Sequence, residues 1–365
     1  MKTRDLVVSL GVALGVVVIG ILVVSSRSSS ARTGWFSMSP DAKQYIRMVQ
    51  GQPAEAPYKF RVLVPQLAAL LPLPPDQALR VVTYASLFGC NIFILLSLGA
   101  LKMPMNIRIS SLLSLALTPG HLLLYQNPQL TDAFGLMCLS AMMYSVIRKT
   151  LPLFLLSSVA GILGRESTIV GIPGWLGTKR YGQLLGALLL GTLTYLLPRA
   201  LMGGSWFNAF ISPTLTTVAK AYLTLGFAWV GVVAGFVQGA SNEVRVNAAF
   251  VVAGAVVSSL VAVDTVRMFT ICWPVAVLLY AAFLCPLRLR IPVALPLSLV
   301  LFALLGLTGV PTIFTQPWAT GMTELEQWYR RLKYPILLVQ GVGLLCMVVF
   351  TVSLIGSRAR AEANR

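Results

Sequence analysis

The fold class this sequence predicts is an all-α polytopic membrane protein, and three observations predict it. The 365 residues are 57% hydrophobic and only 11% charged, whereas a soluble domain carries about a quarter charged residues. Apolar runs of roughly 17–25 residues, the length that crosses a bilayer as a helix, recur along the chain. The net charge of +17 is scattered between those runs, as expected where Lys and Arg concentrate in cytoplasmic loops. A nucleic-acid binder would gather its basic residues into a patch, so no nucleic-acid partner is expected and the lipid bilayer is.

The candidate spans are 6–24, 79–101, 109–126, 131–147, 182–201, 219–238, 246–263, 268–285, 291–309 and 335–356. The first has an n-region-like start, MKTRD, and Ser-Ser-Ala stands before Arg32. Its apolar run is longer than the roughly 7–15 residues of a signal-peptide core, so it is read as a retained helix. The stretch 150–178, TLPLFLLSSVAGILGRESTIVGIPGWLGT, is different. One continuous helix would bury Gly164-Arg165-Glu166 near the bilayer centre, at high cost. Two short helices put that polar turn in the outer half; neither half is long enough to span fully, so the turn would line a protein cavity rather than face lipid.

Charge parity selects the hairpin. With the N-terminus inside, the cytoplasmic loops then hold Lys102/Arg108, Arg148/Lys149, Lys179/Arg180, Arg245, Arg288/Arg290 and the tail Arg358/Arg360/Arg365. A single span would place every later basic cluster outside. About twelve helical segments result, in one transmembrane domain covering 1–365, with both termini cytoplasmic and no linker or internal repeat. The acids divide unevenly: Asp41, Glu55, Asp76, Asp132, Glu166, Asp264, Glu324 and Glu326 fall on the outer side or in the outer half, and only Asp5, Glu243 and Glu362 inside. Acidic residues barely influence insertion, so the bias points to a polar site on the extracytoplasmic face.

The first outer loop, about 25–78, is built rather than merely solvated. Ser39-Pro40-Asp41 has the grammar of a helix start, with a Ser cap, Pro in the first turn and an acid at the positive end of the dipole. Ala42, Tyr45, Ile46 and Val49 follow at helical spacing. After Gly51-Gln52-Pro53, a second apolar face runs through Phe60, Leu63, Val64, Leu67, Ala68 and Leu71, with a kink expected at Pro65. These residues predict two short helices lying along the outer interface. Asp41 is either a catalytic carboxylate or a helix-stabilising acid.

The five cysteines, Cys90, Cys138, Cys272, Cys285 and Cys346, lie in or at the ends of apolar runs without a CxxC pair, and His121 is the only histidine. Neither a disulfide framework nor a zinc site is indicated.

An Asp early in a long first outer loop of interfacial helices, together with YKFRVLVPQLA at 58–68, NPQLTDAFGL at 127–136, GREST at 164–168 and DTVRMFTICWP at 264–274, resembles the GT-C superfamily of integral membrane glycosyltransferases, in its uncharacterised bacterial branch. The similarity spans positions 1–285. It implies a bacterial inner-membrane enzyme that moves a sugar from a polyprenyl-phosphate donor to a glycan, lipid or protein acceptor on the outer face, with inversion. It also implies that Asp41 is the general base. Members with a metal-type motif carry two nearby carboxylates in this loop. Here Asp41 is followed by Lys43 and the next acid is Glu55, so neither a metal nor a cofactor is expected.

A lipid phosphate needs cations, and arginine suits it by staying charged and binding bidentately. The candidates are Arg165, Arg61 and Arg267. Adjacent residues on a helix do not face each other, so Glu166 need not neutralise Arg165; a structural ion pair of Arg165 with another outer acid is the alternative. Asp264 and Arg267, three apart, are read first as a mutual pair. Asp132 is a helix cap beside Thr131, or a group that orients the acceptor or binds sugar hydroxyls. His121 is a hydrogen-bonded packing residue or a proton carrier. The rival to the enzyme is a transporter or lipid-linked sugar flippase, for which the broken 150–178 segment is a suggestive feature.

Overall fold

The computed structural model describes residues 3–28, 40–116, 118–203, 224–225, 228–259 and 265–285. Every regular element among them is helical. Asp264 and the predicted spans 291–309 and 335–356 lie outside the described residues.

Helix α1 (Thr3–Ser28) is followed by α2 (Pro40–Val49), a 3-10 turn (Tyr58–Phe60), α3 (Leu63–Ala69) and α4 (Pro75–Ala100). Then come α5 (Met105–Ala116), α6 (Pro119–Gln126), α7 (Asp132–Arg148) and α8 (Leu151–Gly164). A 3-10 helix (Glu166–Thr178) leads to α9 (Tyr181–Met202), α10 (Ala228–Gln238), α11 (Asn242–Ser259), α12 (Thr265–Thr270) and α13 (Trp273–Leu284). Three helices, Thr3–Ser25, Pro75–Ala100 and Tyr181–Met202, are long and apolar enough to cross a membrane. Their outward surfaces agree with that. Leu185, Leu189, Leu193 and Leu197 form an exposed stripe down α9, and Leu14, Val18 and Leu22 are exposed on α1. A helix facing water would carry polar residues there.

The segment 150–178 forms the expected hairpin. Arg180 Nη1 donates to the Lys149 carbonyl at 3.3 Å, so the start of α8 and the end of the 3-10 helix are neighbours, and Arg165 stands at the far turn in extended conformation (φ −155°, ψ 108°). One expectation needs correcting. The second arm is wound as a 3-10 helix of 13 residues, and at about 2 Å per residue it reaches about 26 Å, nearly the hydrocarbon thickness. Its three glycines, Gly171, Gly174 and Gly177, fall at the three-residue repeat of that helix and lie close against Leu139, Asn247 and Glu243.

Two predicted spans are broken. The stretch 109–126 divides into α5 and α6, because Thr118, before Pro119, is extended (φ −67°, ψ 146°), the conformation a following proline imposes. The stretch 268–285 divides into α12 and α13 ahead of Trp273-Pro274. The two breaks meet. Trp273 Nε1 donates to the Leu115 carbonyl at 2.9 Å, which also accepts from the Thr118 hydroxyl at 2.7 Å, and Thr270 Oγ1 donates to the Gly120 carbonyl at 3.3 Å.

Helix α4 packs on α7, α7 on α8, α11 on the 3-10 helix and α10 on α13. At the last contact a Cβ on Gly235 would stand 1.9 Å from the Leu279 carbonyl oxygen. Backbone meets backbone there, as small residues allow between membrane helices. Gly235→Ala must push the helices apart and is expected to destabilise by about 1–3 kcal/mol, read as a lowered thermal midpoint of the purified protein; an unchanged midpoint would refute this contact.

The first-loop helices are present, and their apolar faces are packed against the protein. Ala42, Tyr45, Val64 and Ala68 form a second core with Ala78, Leu79, Leu130, Phe134 and Cys138 of α4 and α7. Pro65 does not kink α3. It lies in the first turn, after Leu63 and Val64, where a missing N–H breaks no helical bond.

Candidate functional site

Three arginines and three acids from five separate segments converge at one end of the bundle. Asp41 comes from the first turn of α2 and Arg61 from the end of the 3-10 turn. Asp132 opens α7, Arg165 and Glu166 form the hairpin turn, and Arg267 lies on α12. The turn can sit directly against α7 because a Cβ on Gly135 would already be 3.0 Å from the Arg165 Cβ, and one on Gly164 would be 2.4 Å from the Phe134 ring.

The six charges form two linked groups. Arg61 grips Glu166 with both ends of its fork, Nε to Oε2 at 2.7 Å and Nη2 to Oε1 at 2.5 Å. Its Nη1 donates to the Tyr45 hydroxyl at 2.6 Å. Arg267 bridges two carboxylates, with Nη1 on Asp41 Oδ2 at 2.6 Å and Nη2 on Asp132 Oδ2 at 2.8 Å. The other Asp132 oxygen takes Arg165 Nη2 at 3.0 Å. Arg165 is 4% exposed, and its Nη1 has no hydrogen-bond partner among the described residues.

Arg165, Asp132 and Arg267 line a cavity with Ser167, Thr270 and Asn127, its remaining wall largely apolar. Its free volume is about 20 Å³, enough for about one water molecule and too little for a sugar. Ser167 also lines the cavity, and its buried hydroxyl has no partner among the described residues. Two unsatisfied donors are costly unless water or a ligand reaches them.

Asp41 and Glu166 are the acids of the cluster that solvent reaches, their side chains 22% and 24% exposed against 9% for Asp132. The Tyr58 hydroxyl donates to Asp41 Oδ1 at 2.7 Å. Burial pushes the Asp41 carboxyl up, but the charge and hydrogen bond of Arg267, the Tyr58 hydroxyl and the charge of Arg61 together hold it below its ordinary range. Burial and the bond to Asp41 push the Tyr58 phenol up.

The sign of the pH dependence follows. A carboxyl depressed on folding contributes stability above its unfolded value, about 3.9, and loses it as the pH falls through the folded value. A phenol raised on folding contributes below about 10 and loses that as the pH rises further. The pair therefore adds stability that is flat from about pH 5 to 9, with an acid edge below about pH 4 and an alkaline edge above about pH 10. In Tyr58→Phe the alkaline edge should weaken, as thermal melts across pH measure.

Several sequence expectations are settled by position. Arg165 is paired with another acid, Asp132, and not with Glu166. Asp132 makes no cap: its carboxylate holds two arginines, and Thr131 makes no side-chain cap bond. Arg61 has all three nitrogens committed inside the protein. His121 is a packing residue, 1% exposed, stacked on Trp273 with centroids 4.1 Å apart and Nδ1 2.9 Å from the Ala116 carbonyl oxygen. It is not brought to the charged cluster's cavity. Glu55 stays apart, its backbone N–H donating to Gln44.

Tyr58, Tyr45 and Ser167 were not anticipated as site residues. Tyr45 was assigned to the apolar face of α2, and Tyr58 precedes Arg61 by three in the YKFR stretch; a hydroxyl on a predicted packing face was the available signal. Among the described residues no group of three or more His, Cys, Asp or Glu is placed to hold a metal ion.

No family model, no curated protein and no solved structure matches this chain.

Proposed function

We propose that this protein is an integral membrane glycosyltransferase that moves a sugar from a polyprenyl-phosphate donor to a glycan, lipid or protein acceptor, with inversion. The observation that carries the reading is a solvent-reachable carboxylate, Asp41, joined through Arg267 to a cavity lined by a buried arginine, Arg165, one of whose nitrogens has no partner among the described residues. Ionisable groups gathered inside an apolar helical bundle are expensive and mark function.

In this reading Asp41 takes the proton of the acceptor hydroxyl, and the acceptor oxygen attacks the anomeric carbon. The bond from that carbon to the phosphate oxygen breaks, and the polyprenyl phosphate leaves with the bonding pair. Arg165, with Arg267 beside it, stabilises the leaving phosphate, while Arg61 holds the hairpin turn to the first loop. Proximity and general-base assistance supply the rate. The site has to open for the sugar to enter.

About twelve segments, a bacterial inner-membrane location and cytoplasmic termini belong to the same proposal. In support, Lys102, Lys149, Lys179 and Arg180 lie at the end of the bundle opposite the cluster, since α4 and α7 both run away from it. Arg245 joins them, because the Glu243 Cα is 2.9 Å from a Cβ built on Gly177. Basic loops on one side and the three acids of the cluster on the other match a cytoplasmic and an outer face.

The second reading is a transporter or lipid-linked sugar flippase, favoured by the crossing of two broken helices beside the cavity, an arrangement that transporters use for binding. The test is donor consumption. Purified protein in native lipids is given radiolabelled polyprenyl-phosphate sugars and a crude membrane extract as acceptor source. Turnover of one donor supports the enzyme. Donor that crosses sealed vesicles unchanged, with no turnover, supports the transporter.

A further inference from the structure

We infer that Arg267 is an electrostatic latch on Asp41, released when an anionic phosphate enters the cavity beside Arg165. The inference rests on the reading of the site as one for a lipid phosphate, and it adds how that site is regulated.

The geometry makes the latch. Arg267 spans Asp41 and Asp132, with one terminal nitrogen on each. Asp41 is therefore engaged on both oxygens, by Arg267 on Oδ2 and Tyr58 on Oδ1. The positive charge against Oδ2 makes a carboxylate held this way a weaker base. Asp132 in turn is shared between Arg267 and Arg165. The charges of the six residues sum to zero, three arginines against Asp41, Asp132 and Glu166.

A phosphate that enters adds negative charge to a balanced site. Arg165 and Ser167 line the cavity, and Arg165 Nη1 and the Ser167 hydroxyl have no partner among the described residues. Arg61 is tied down more firmly, with all three of its nitrogens bonded to Glu166 and Tyr45 inside the protein. Arg267 also lines the cavity and holds Asp41 at the more exposed end of its bridge. It is the arginine able to turn to the phosphate while keeping its Asp132 contact. The groups facing Asp41 are Arg267 from α12, Tyr58 from the 3-10 turn and, at longer range, Arg61; with Arg267 withdrawn, Asp41 gains a free oxygen and loses its nearest positive charge. The acceptor would then be deprotonated only when the donor is already bound.

The test reads Asp41 directly. The full chain in lipid nanodiscs is treated with a water-soluble carbodiimide and an amine, and modification of the Asp41 peptide is quantified by mass spectrometry, with and without farnesyl phosphate. Binding of the probe is followed separately by its retention on the nanodiscs. The expected result is about a tenfold gain in Asp41 labelling on binding, the size that releasing one charge-assisted hydrogen bond gives. In Arg267→Gln the labelling should be high without the probe, and in Arg267→Lys, which spans less well, intermediate. Probe that binds in an Arg165-dependent way and leaves Asp41 labelling unchanged overturns the latch and spares the phosphate site. Probe that does not bind, or binds equally well to Arg165→Gln, overturns the phosphate site and the latch with it.

Discussion

Asp41→Asn is expected to lower donor consumption by about 10²–10⁴-fold, the span that a positioned general base contributes. The substitution is nearly isosteric, and the Asn side-chain oxygen still accepts from Tyr58, whose hydroxyl lies 2.7 Å from Oδ1. Arg267 keeps Asp132, 2.8 Å from its Nη2, so no arginine is stranded. Folding is therefore expected to survive with a loss of about 1–2 kcal/mol, the scale of one hydrogen bond to a charged group. Radiolabelled donor turnover, set beside a thermal melt, separates the two effects. A variant that turns over donor at the wild-type rate would remove Asp41 from the chemistry.

Glu166→Ala is expected to give the largest loss of stability. It strands Arg61, which is 6% exposed, and deprives it of two hydrogen bonds at once. Removing one partner of a buried pair costs about 3–5 kcal/mol; the Glu166 side chain is 24% exposed, so the lower end, about 3 kcal/mol, is appropriate. The double substitution Arg61→Met with Glu166→Leu should recover most of that, because no charge is left unpaired. Thermal unfolding of the three proteins measures it. If the double variant is as unstable as Glu166→Ala, the loss lies in packing and not in the stranded guanidinium.

What the sequence made legible was the set of residues and the end of the bundle where they gather, and it did so through chemistry that is local. The helix start at Asp41, the apolar face through Ala42 and Tyr45 and the polar turn at Arg165 are written in near-neighbour spacing. Partner choice is not. The Arg61–Glu166 grip joins positions 105 residues apart and the Arg267–Asp41 bond positions 226 apart, and spacing carries no information at that range. For the same reason the neighbour Thr131 leaves Asp132 open between a cap and a substrate-facing group, when α7 aims its carboxylate at two arginines. The breaks before Pro119 and Pro274 were hidden by uninterrupted hydrophobicity, although the proline chemistry that makes them was in view. Winding of the second hairpin arm as a 3-10 helix did leave a signal, Thr168, Gly171, Gly174 and Gly177 at a spacing of three and all buried, but small residues at that spacing also suit an α-helix.

The order in which the six charges leave the ribosome sets when the cluster can exist. Asp41 is made 226 residues before Arg267, which at about 5–20 residues per second is roughly 10–45 s of waiting. Asp132 precedes Arg267 by 135 residues. Until then one acid of the set has no counter-ion, and water is its only solvent of low cost. An acid on a loop helix, not in a spanning helix, can wait in that way. The short α12 that delivers Arg267 is the last of the five contributing segments to be synthesised, so its docking completes the site, and a nascent chain stopped before it carries the whole first loop without a closed charge balance.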